Sequence, residues 1–458
     1  MASRAAAYRT LRRVHAGGAW SPRALGAALR RGDLPARDRA FAANLAYETL
    51  RWEGTLDWAL GRVLTRPLGA VDPEVLDVLR LGACQLLFTR TPDRAAVAST
   101  VDLARAQLGP GVTGFVNGVL RALARARAEL PWPPVDDDRG LSLATGYPEW
   151  VVVEARARFG ARARAVLEAG NRPPGLTLRA RGDAVALAGE LRAAGLAAAP
   201  GRHAPEAVRA PGADPADLAC VAEGRATPQD EASMLVSRAV AARVADGDVD
   251  GWLALDACAG PGGKATHLAQ LGARVVAVDV RPSRARLVTE TARRLGVAAS
   301  VRVAVTDSTA PALRASVFDA ALVDAPCTGL GVVRRRPELR WRHGPADPTR
   351  LAALQLALLE GVADAVRPGG WLVYSVCTWT RAETVDVAAA FLAAHGDRFE
   401  SDPDAGPPSA SDRPGQVLPG DPGLQLAPDT DDVDGMYVLC LRRGTPEGHG
   451  RAADRSGL

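Results

Sequence analysis

Between Trp252 and Ser375 five short apolar runs alternate with segments of helical spacing, and that alternation leaves few folds open. The runs are Trp252-Leu253-Ala254-Leu255, Arg274-Val275-Val276-Ala277-Val278, Val301-Arg302-Val303-Ala304-Val305, Phe318-Asp319-Ala320-Ala321-Leu322-Val323 and Trp371-Leu372-Val373-Tyr374-Ser375. Short runs dominated by valine, leucine and alanine suit strands buried on both faces. Separated by helices, they predict a parallel sheet covered on both sides, an α/β doubly wound architecture. A stretch rich in Pro, Gly and Asp at 401–434 then precedes one more predicted strand, Met436-Tyr437-Val438-Leu439-Cys440-Leu441.

Each of the five runs finishes in a chemically pointed residue. The first enters the turn Asp256-Ala257-Cys258-Ala259-Gly260-Pro261-Gly262-Gly263-Lys264. The second ends at Asp279, the third at Asp307, the fourth at Asp324-Ala325-Pro326-Cys327 and the fifth at Cys377. In a doubly wound sheet these ends share one edge, where ligands bind. A single Asp after a strand is as often the cap of the next helix. Four pointed ends beside a glycine turn mark a site. The turn lacks the Gly-x-Gly-x-x-Gly spacing that seats a pyrophosphate, which disfavours a nicotinamide oxidoreductase. Asp279 follows at roughly the 20-residue separation of an acid that binds ribose hydroxyls. A ligand with a ribose and no pyrophosphate points to S-adenosylmethionine. Lys264 is the sole lysine among 56 basic residues, which suits a place that needs a compact ammonium in preference to a guanidinium fork.

A chain of 458 residues is long for one core and predicts several domains. Residues 1–135 read as all-helical: Ala7, Leu11 and Val14 share one helical face, and Asp72-Pro73 is a cap followed by a first-turn proline. Pro131-Trp132-Pro133-Pro134 followed by three aspartates reads as a linker. Residues 140–225 are expected to form a small connecting α+β domain that contacts RNA, 226–443 the catalytic domain and 444–458 a disordered tail. The six cysteines are scattered, without zinc-type spacing, so no metal and no disulfide framework is expected. A reducing, cytoplasmic setting follows, with no run long enough to span a bilayer. Net charge is only +4, so a polyanionic partner would be met by local arginine clusters. Nothing demands more than a monomer.

The glycine turn continued by Ala265-Thr266-His267, the Asp324-Ala325-Pro326-Cys327-Thr328-Gly329 stretch and Tyr374-Ser375-Val376-Cys377-Thr378 resemble the motifs of RNA cytosine-5 methyltransferases. Arg37-Asp38-Arg39-Ala40-Phe41, Tyr47-Glu48-Thr49-Leu50-Arg51 and Gly114-Phe115-Val116-Asn117-Gly118-Val119-Leu120-Arg121 resemble a NusB-type helical domain. Tyr147-Pro148-Glu149-Trp150 and Gln229-Asp230-Glu231-Ala232-Ser233 complete a likeness to bacterial small-subunit ribosomal RNA methyltransferases of the RsmB/Sun type, extending to about Arg443. The residues alone leave open which of two thiols attacks. The resemblance implies attack by Cys377 at carbon 6 of cytosine, breakdown of the adduct assisted by Cys327, and contact of Asp324 with the cytosine edge. It also implies that Cys258, Ala259, Gly260, Pro261, Gly262, Gly263, Lys264, Asp279, Arg284, Asp307 and Asp324 hold S-adenosylmethionine, with Asp279 on the ribose and Asp307 on the adenine side. The family's usual acidic or Asn residue is Thr384 here, and Glu383 is the retained acid.

Arg334, Arg335, Arg336, Arg340 and Trp341 follow Cys327 closely and combine guanidiniums with an aromatic, the composition that binds phosphates and stacks on an unpaired base. The expected partner is 16S ribosomal RNA with its cytosine single-stranded or flipped. The same chemistry on tRNA is the close rival. A non-catalytic RNA-binding assembly factor is the rival of another class, opposed by the intact Cys327, Cys377 and Asp324.

Overall fold

A computed structural model of the chain describes residues 1–30, 34–244, 251–402 and 414–445. They form two compact units: Met1–Pro173 with Val332–Pro345, and Pro174–Gly331 with Ala346–Leu458. Residues 446–458 of the expected tail and 403–413 of the Pro, Gly and Asp-rich stretch lie outside the described residues. No helix among the described residues is long and apolar enough to cross a membrane.

The first unit is helical. Residues Ala2–His15 form its opening helix and bury Ala7, Leu11 and Val14 on one face, as the spacing predicts. Pro73–Phe88 starts at Asp72, whose carboxylate accepts the Glu74 N–H at 2.8 Å. Thr113–Ala126 adds Val116, Leu120 and Leu123 to a core that also holds Leu11, Leu45, Leu50 and Leu79. Burial of each such side chain contributes about 1.5–3 kcal/mol. The helices Asp138–Thr145, Glu149–Phe159 and Ala163–Ala169 follow the proline-rich stretch. In the division into compact units, residues 140–173 fall with the first unit.

The second unit carries two sheets. Strands β1 (Leu176–Ala180), β2 (Ala199–Pro200), β3 (Ala207–Ala210) and β4 (Ala226–Pro228) pair antiparallel in the order β2-β3-β1-β4. Helix Ala184–Ala193 packs Leu187 and Leu191 on Leu178 and Val208. The large sheet comprises β5 (Leu253–Asp256), β6 (Arg274–Val278), β7 (Val301–Ala304), β8 (Phe318–Asp324), β9 (Val366–Val376), β10 (Phe399–Ser401), β11 (Leu424–Leu426) and β12 (Met436–Arg443). Its order is β10-β12-β9-β8-β5-β6-β7, with β11 beside β12.

The five predicted strands β5 to β9 pair parallel. The expectation of a parallel sheet needs one amendment, because β12 lies antiparallel against β9 and makes the sheet mixed. Successive residues serve opposite cores: Ala254, Ala320, Leu322 and Val373 meet helices on one face, while Leu255, Ala321, Val323 and Leu372 meet them on the other. Strand order reverses between β5 and β8, so the glycine turn and the Pro-Cys stretch emerge side by side at the switch point.

Candidate active site

The glycine turn leaves β5 and becomes helix Gly263–Gln270. Gly262 has φ +103°, and a Cβ there would stand 3.0 Å from the Val288 Cα, so both conformation and space require glycine. A Cβ on Gly260 would stand 2.5 Å from Asp279 Oδ2. That close approach lets the Gly260 N–H donate to Asp279 Oδ2 at 3.1 Å, while the Arg281 N–H donates to Oδ1 at 2.8 Å. Arg284 Nη1 lies 3.9 Å from the same carboxylate. The acid at the end of β6 is thus fixed to the turn, beside Cys258, Ala259 and Pro261. Burial, then the charges of Asp256, Asp324 and Asp279, push the Cys258 thiol far up, so it stays protonated and unreactive.

Asp307 lies on the solvent side, beyond β7. Its Oδ1 accepts the Thr309 N–H at 2.9 Å and the Thr309 hydroxyl at 2.8 Å, which hold its carboxyl below the usual range. The neighbouring Ser308 hydroxyl ties this segment to the turn through the Ala257 carbonyl at 2.6 Å.

At the end of β8, Asp324 accepts Lys264 Nζ at 2.7 Å on Oδ2 and the Ser375 hydroxyl at 2.8 Å on Oδ1. Burial pulls the Lys264 ammonium toward deprotonation, but the charge and hydrogen bond of Asp324 outweigh it, helped by Cys377, and its pKa ends raised. The single lysine therefore bridges the glycine turn to the Pro-Cys stretch. Two residues escaped the sequence reading. Asp256 is buried; the Cys258 amide acts on it, yet neither carboxylate oxygen reaches full hydrogen-bond geometry with a protein group. Burial and then the Asp324 charge raise its pKa to about 7. Arg179, buried in β1, donates to Gln229 Oε1, to the Gly263 carbonyl at 2.6 Å and to the Thr266 hydroxyl at 2.9 Å, bracing the turn from the small sheet.

The two thiols come together. Cys327 Sγ and Cys377 Sγ are 3.3 Å apart, each partly open to solvent. The hydrogen bond to Cys377, then burial, push the Cys327 thiol well above its ordinary range. Cys327 therefore keeps its proton beside Cys377. Cys84, Cys220 and Cys440 are buried in hydrophobic cores.

The arginine-rich stretch divides. Arg340 is fully buried in the first unit and donates to the carbonyls of Arg51 at 3.0 Å and Gly170 at 3.1 Å, with Thr145 and Gly146 at 3.4 and 3.5 Å. Its guanidinium also lies 3.7 Å over the Tyr147 ring. Arg334 is buried and donates to the Arg172 carbonyl at 3.2 Å. The expectation that these two contact RNA is corrected, since both side chains are buried inside the protein. Arg335 is half-buried, whereas Arg336 is exposed with its guanidinium 5.3 Å over Trp20. Arg342 covers the same ring at 4.1 Å. Trp20 and Trp341 are 38% and 37% exposed, so each leaves part of its ring edge to solvent.

Three family models match the chain: 16S rRNA methyltransferase RsmB/F over residues 245–442, the NusB family over 1–125, and the RsmF/B-like ferredoxin-like domain over 147–215. A putative methyltransferase of Mycobacterium tuberculosis is 41% identical, covering 97% of both chains. The ribosomal RNA small subunit methyltransferase B of Thermus thermophilus is 38% identical, covering 91% of this chain and 92% of that one. The chain belongs to the RsmB/F methyltransferase family. A probable ribosomal RNA small subunit methyltransferase B of Bacillus subtilis is 34% identical, covering 93% of this chain and 95% of that one. Among solved structures, PH0851 shares the fold with a TM-score of 0.80 at 23% identity, covering 96% of this chain and 98% of that one. NSun6 of Pyrococcus horikoshii has a TM-score of 0.55 at 19% identity, covering 65% of this chain and 99% of that one. The chain is an S-adenosylmethionine-dependent RNA methyltransferase. The site fits that donor: a buried acceptor on Asp256 without a full partner suits a cationic ligand, and a turn of small residues permits close backbone approach.

Proposed function

We propose that the chain methylates carbon 5 of a cytosine in 16S ribosomal RNA, with Cys377 as the nucleophile. The observation that carries this reading is the pair of thiols, 3.3 Å apart, just beyond the ends of β8 and β9. Carbon 5 of cytosine is a weak nucleophile. Addition of the Cys377 thiolate to carbon 6 forms a C–S bond and moves the ring's double-bond electrons toward carbon 5. Bound S-adenosylmethionine supplies the electrophilic methyl group. Cys258 through Lys264, Asp279, Arg284, Asp307 and Asp324 would hold it, and Asp256 and Arg179 would support them.

Asp324, oriented by Lys264 and Ser375, would contact the cytosine edge and stabilise the protonated ring during addition. Cys327 holds its proton chiefly because Cys377 accepts it. Once the Cys377 sulfur is bonded to carbon 6, that acceptor is lost. After carbon 5 has taken the methyl group, Cys327 can lose its proton to solvent water and, as the thiolate, take the proton from carbon 5; the electrons of that C–H bond restore the ring double bond as the Cys377 thiolate leaves. Contact with the RNA itself is assigned to the exposed Arg336, Trp20 and Trp341 in the first unit, with the half-buried Arg342 held beside them by the Ala19 carbonyl.

The test is methyl transfer to 16S RNA and to tRNA in parallel, with the modified position mapped by bisulfite sequencing. Cys377→Ala is expected to abolish transfer, and Cys327→Ala to accumulate a protein–RNA adduct that survives a denaturing gel. Ordinary turnover by Cys377→Ala would overturn the nucleophile assignment. Modification of tRNA alone would overturn the substrate.

A further inference from the structure

One buried carboxylate reaches the loops of both thiols. Glu383 is fully buried. Its Oε1 accepts the Thr328 N–H at 2.8 Å and Gln355 Nε2 at 3.1 Å, and its Oε2 accepts the hydroxyls of Thr328 at 2.5 Å and Thr380 at 2.8 Å. Four donors fill the four acceptor sites of an ionised carboxylate. The Thr328 hydroxyl gives its hydrogen to Glu383, so it accepts that of Thr378 at 2.8 Å. Thr328 directly follows Cys327, and Thr378 directly follows Cys377. Gln355 Nε2 also reaches the Pro326 carbonyl at 2.9 Å. The Pro-Cys-Thr segment is therefore gripped on both sides of its cysteine, and the second cysteine is tied to it by one hydroxyl bridge.

We infer that Glu383 is a positioning residue, which sets the separation of the Cys327 and Cys377 sulfurs by holding Thr328 and, through it, Thr378. This rests on the proposed two-thiol chemistry and names the group that keeps its geometry. Burial raises the Glu383 pKa above the usual carboxylate value, and the hydrogen bonds from Thr328, Thr380 and Gln355 offset only part of that rise. Glu383→Gln keeps the shape but places an NH2 where two donors point, so one side of the grip must let go.

The experiment uses the full-length enzyme with Glu383→Gln and the milder Thr378→Val, which removes only the bridging hydroxyl. Two readouts are taken. The first is kcat against KM for methyl transfer. The second, independent of methyl transfer, is the rate at which the diazene oxidant diamide converts the Cys327 and Cys377 thiols to a disulfide, itself becoming the hydrazine. The expected result is a kcat lower by about 10²-fold, the loss typical of a misplacement near 1 Å, with KM for both substrates and donor binding barely moved. Slower disulfide formation should accompany it in both variants. Wild-type kcat and wild-type disulfide rate in Thr378→Val and Glu383→Gln would overturn the inference. So would loss of donor binding in Glu383→Gln alongside wild-type behaviour of Thr378→Val, because that marks a purely structural acid. A wild-type enzyme that fails to methylate cytosine while its disulfide rate still depends on Glu383 would remove the proposed function and leave the positioning role standing.

Discussion

Asp256 ends β5 in a place that only a protonated acid tolerates well without a partner. Burial and the charge of Asp324 raise its pKa from 3.8 to about 7, against the opposing charge of Lys264. Between those values the folded chain holds a proton that the unfolded chain has released. Folded-state stability from this group is therefore complete below about pH 4 and declines as pH rises toward 7, by at most about 1.4 kcal/mol per pH unit. Asp256→Asn keeps the shape without the titration. Donor-free unfolding by denaturant at pH 5 and pH 8 should show a smaller fall for the variant than for the native chain, and parallel falls would refute the assignment. His15, in the first unit, titrates with the same sign at higher pH, for the opposite reason: its charged form is the one favoured. Burial disfavours its charge, but hydrogen bonds to Asp77 at 2.7 Å and Glu53 at 3.2 Å outweigh that and raise its pKa to about 9. Its contribution is full below pH 6.5 and disappears as pH climbs past 9.

Among elements, residues 332–345 show how one arginine-rich run separates into structure and surface. Arg340→Met would leave the Arg51 and Gly170 carbonyls dry, at about 1–3 kcal/mol each, so a loss on the order of 3 kcal/mol is expected. Its RNA affinity, measured where the variant remains folded, should keep the native salt dependence. Arg336→Glu should do the reverse, leaving thermal stability near native while lowering the slope of log affinity against log salt by about 1. Equal slopes for native and Arg336→Glu chains would remove Arg336 from the RNA face. Sequence alone could not sort these two arginines, because the partners of Arg340 lie 170 to 289 positions away. The strand ends were readable for the contrary reason. Each parallel strand is a local apolar run, and its ending in Asp279, Asp324 or Cys377 is visible within a few residues. Glu383 showed itself as a retained acid, but its grip depends on Thr328, 55 positions distant. The antiparallel place of β12 was equally hidden, since its apolar run looks like that of any buried strand.

At the scale of the molecule, the two units have separate hydrophobic cores. Leu11, Leu45, Leu79 and Leu120 belong to one, and the two faces of the large sheet supply the others. A chain with cores of that kind need not unfold in one step. Calorimetry of the full chain is expected to show two transitions, assigned by perturbations confined to one unit. Arg340→Met should lower one transition and leave the other in place. S-adenosylmethionine should raise the other alone, since Asp256, Lys264, Asp279 and Asp324 all lie in the second unit. At a donor concentration 100 times its dissociation constant the gain is about 2.7 kcal/mol, large enough to resolve. Asp256→Asn should move that same transition, in the sense its titration requires, above pH 7. A single endotherm displaced alike by the donor and by Arg340→Met would mean that the cores melt as one.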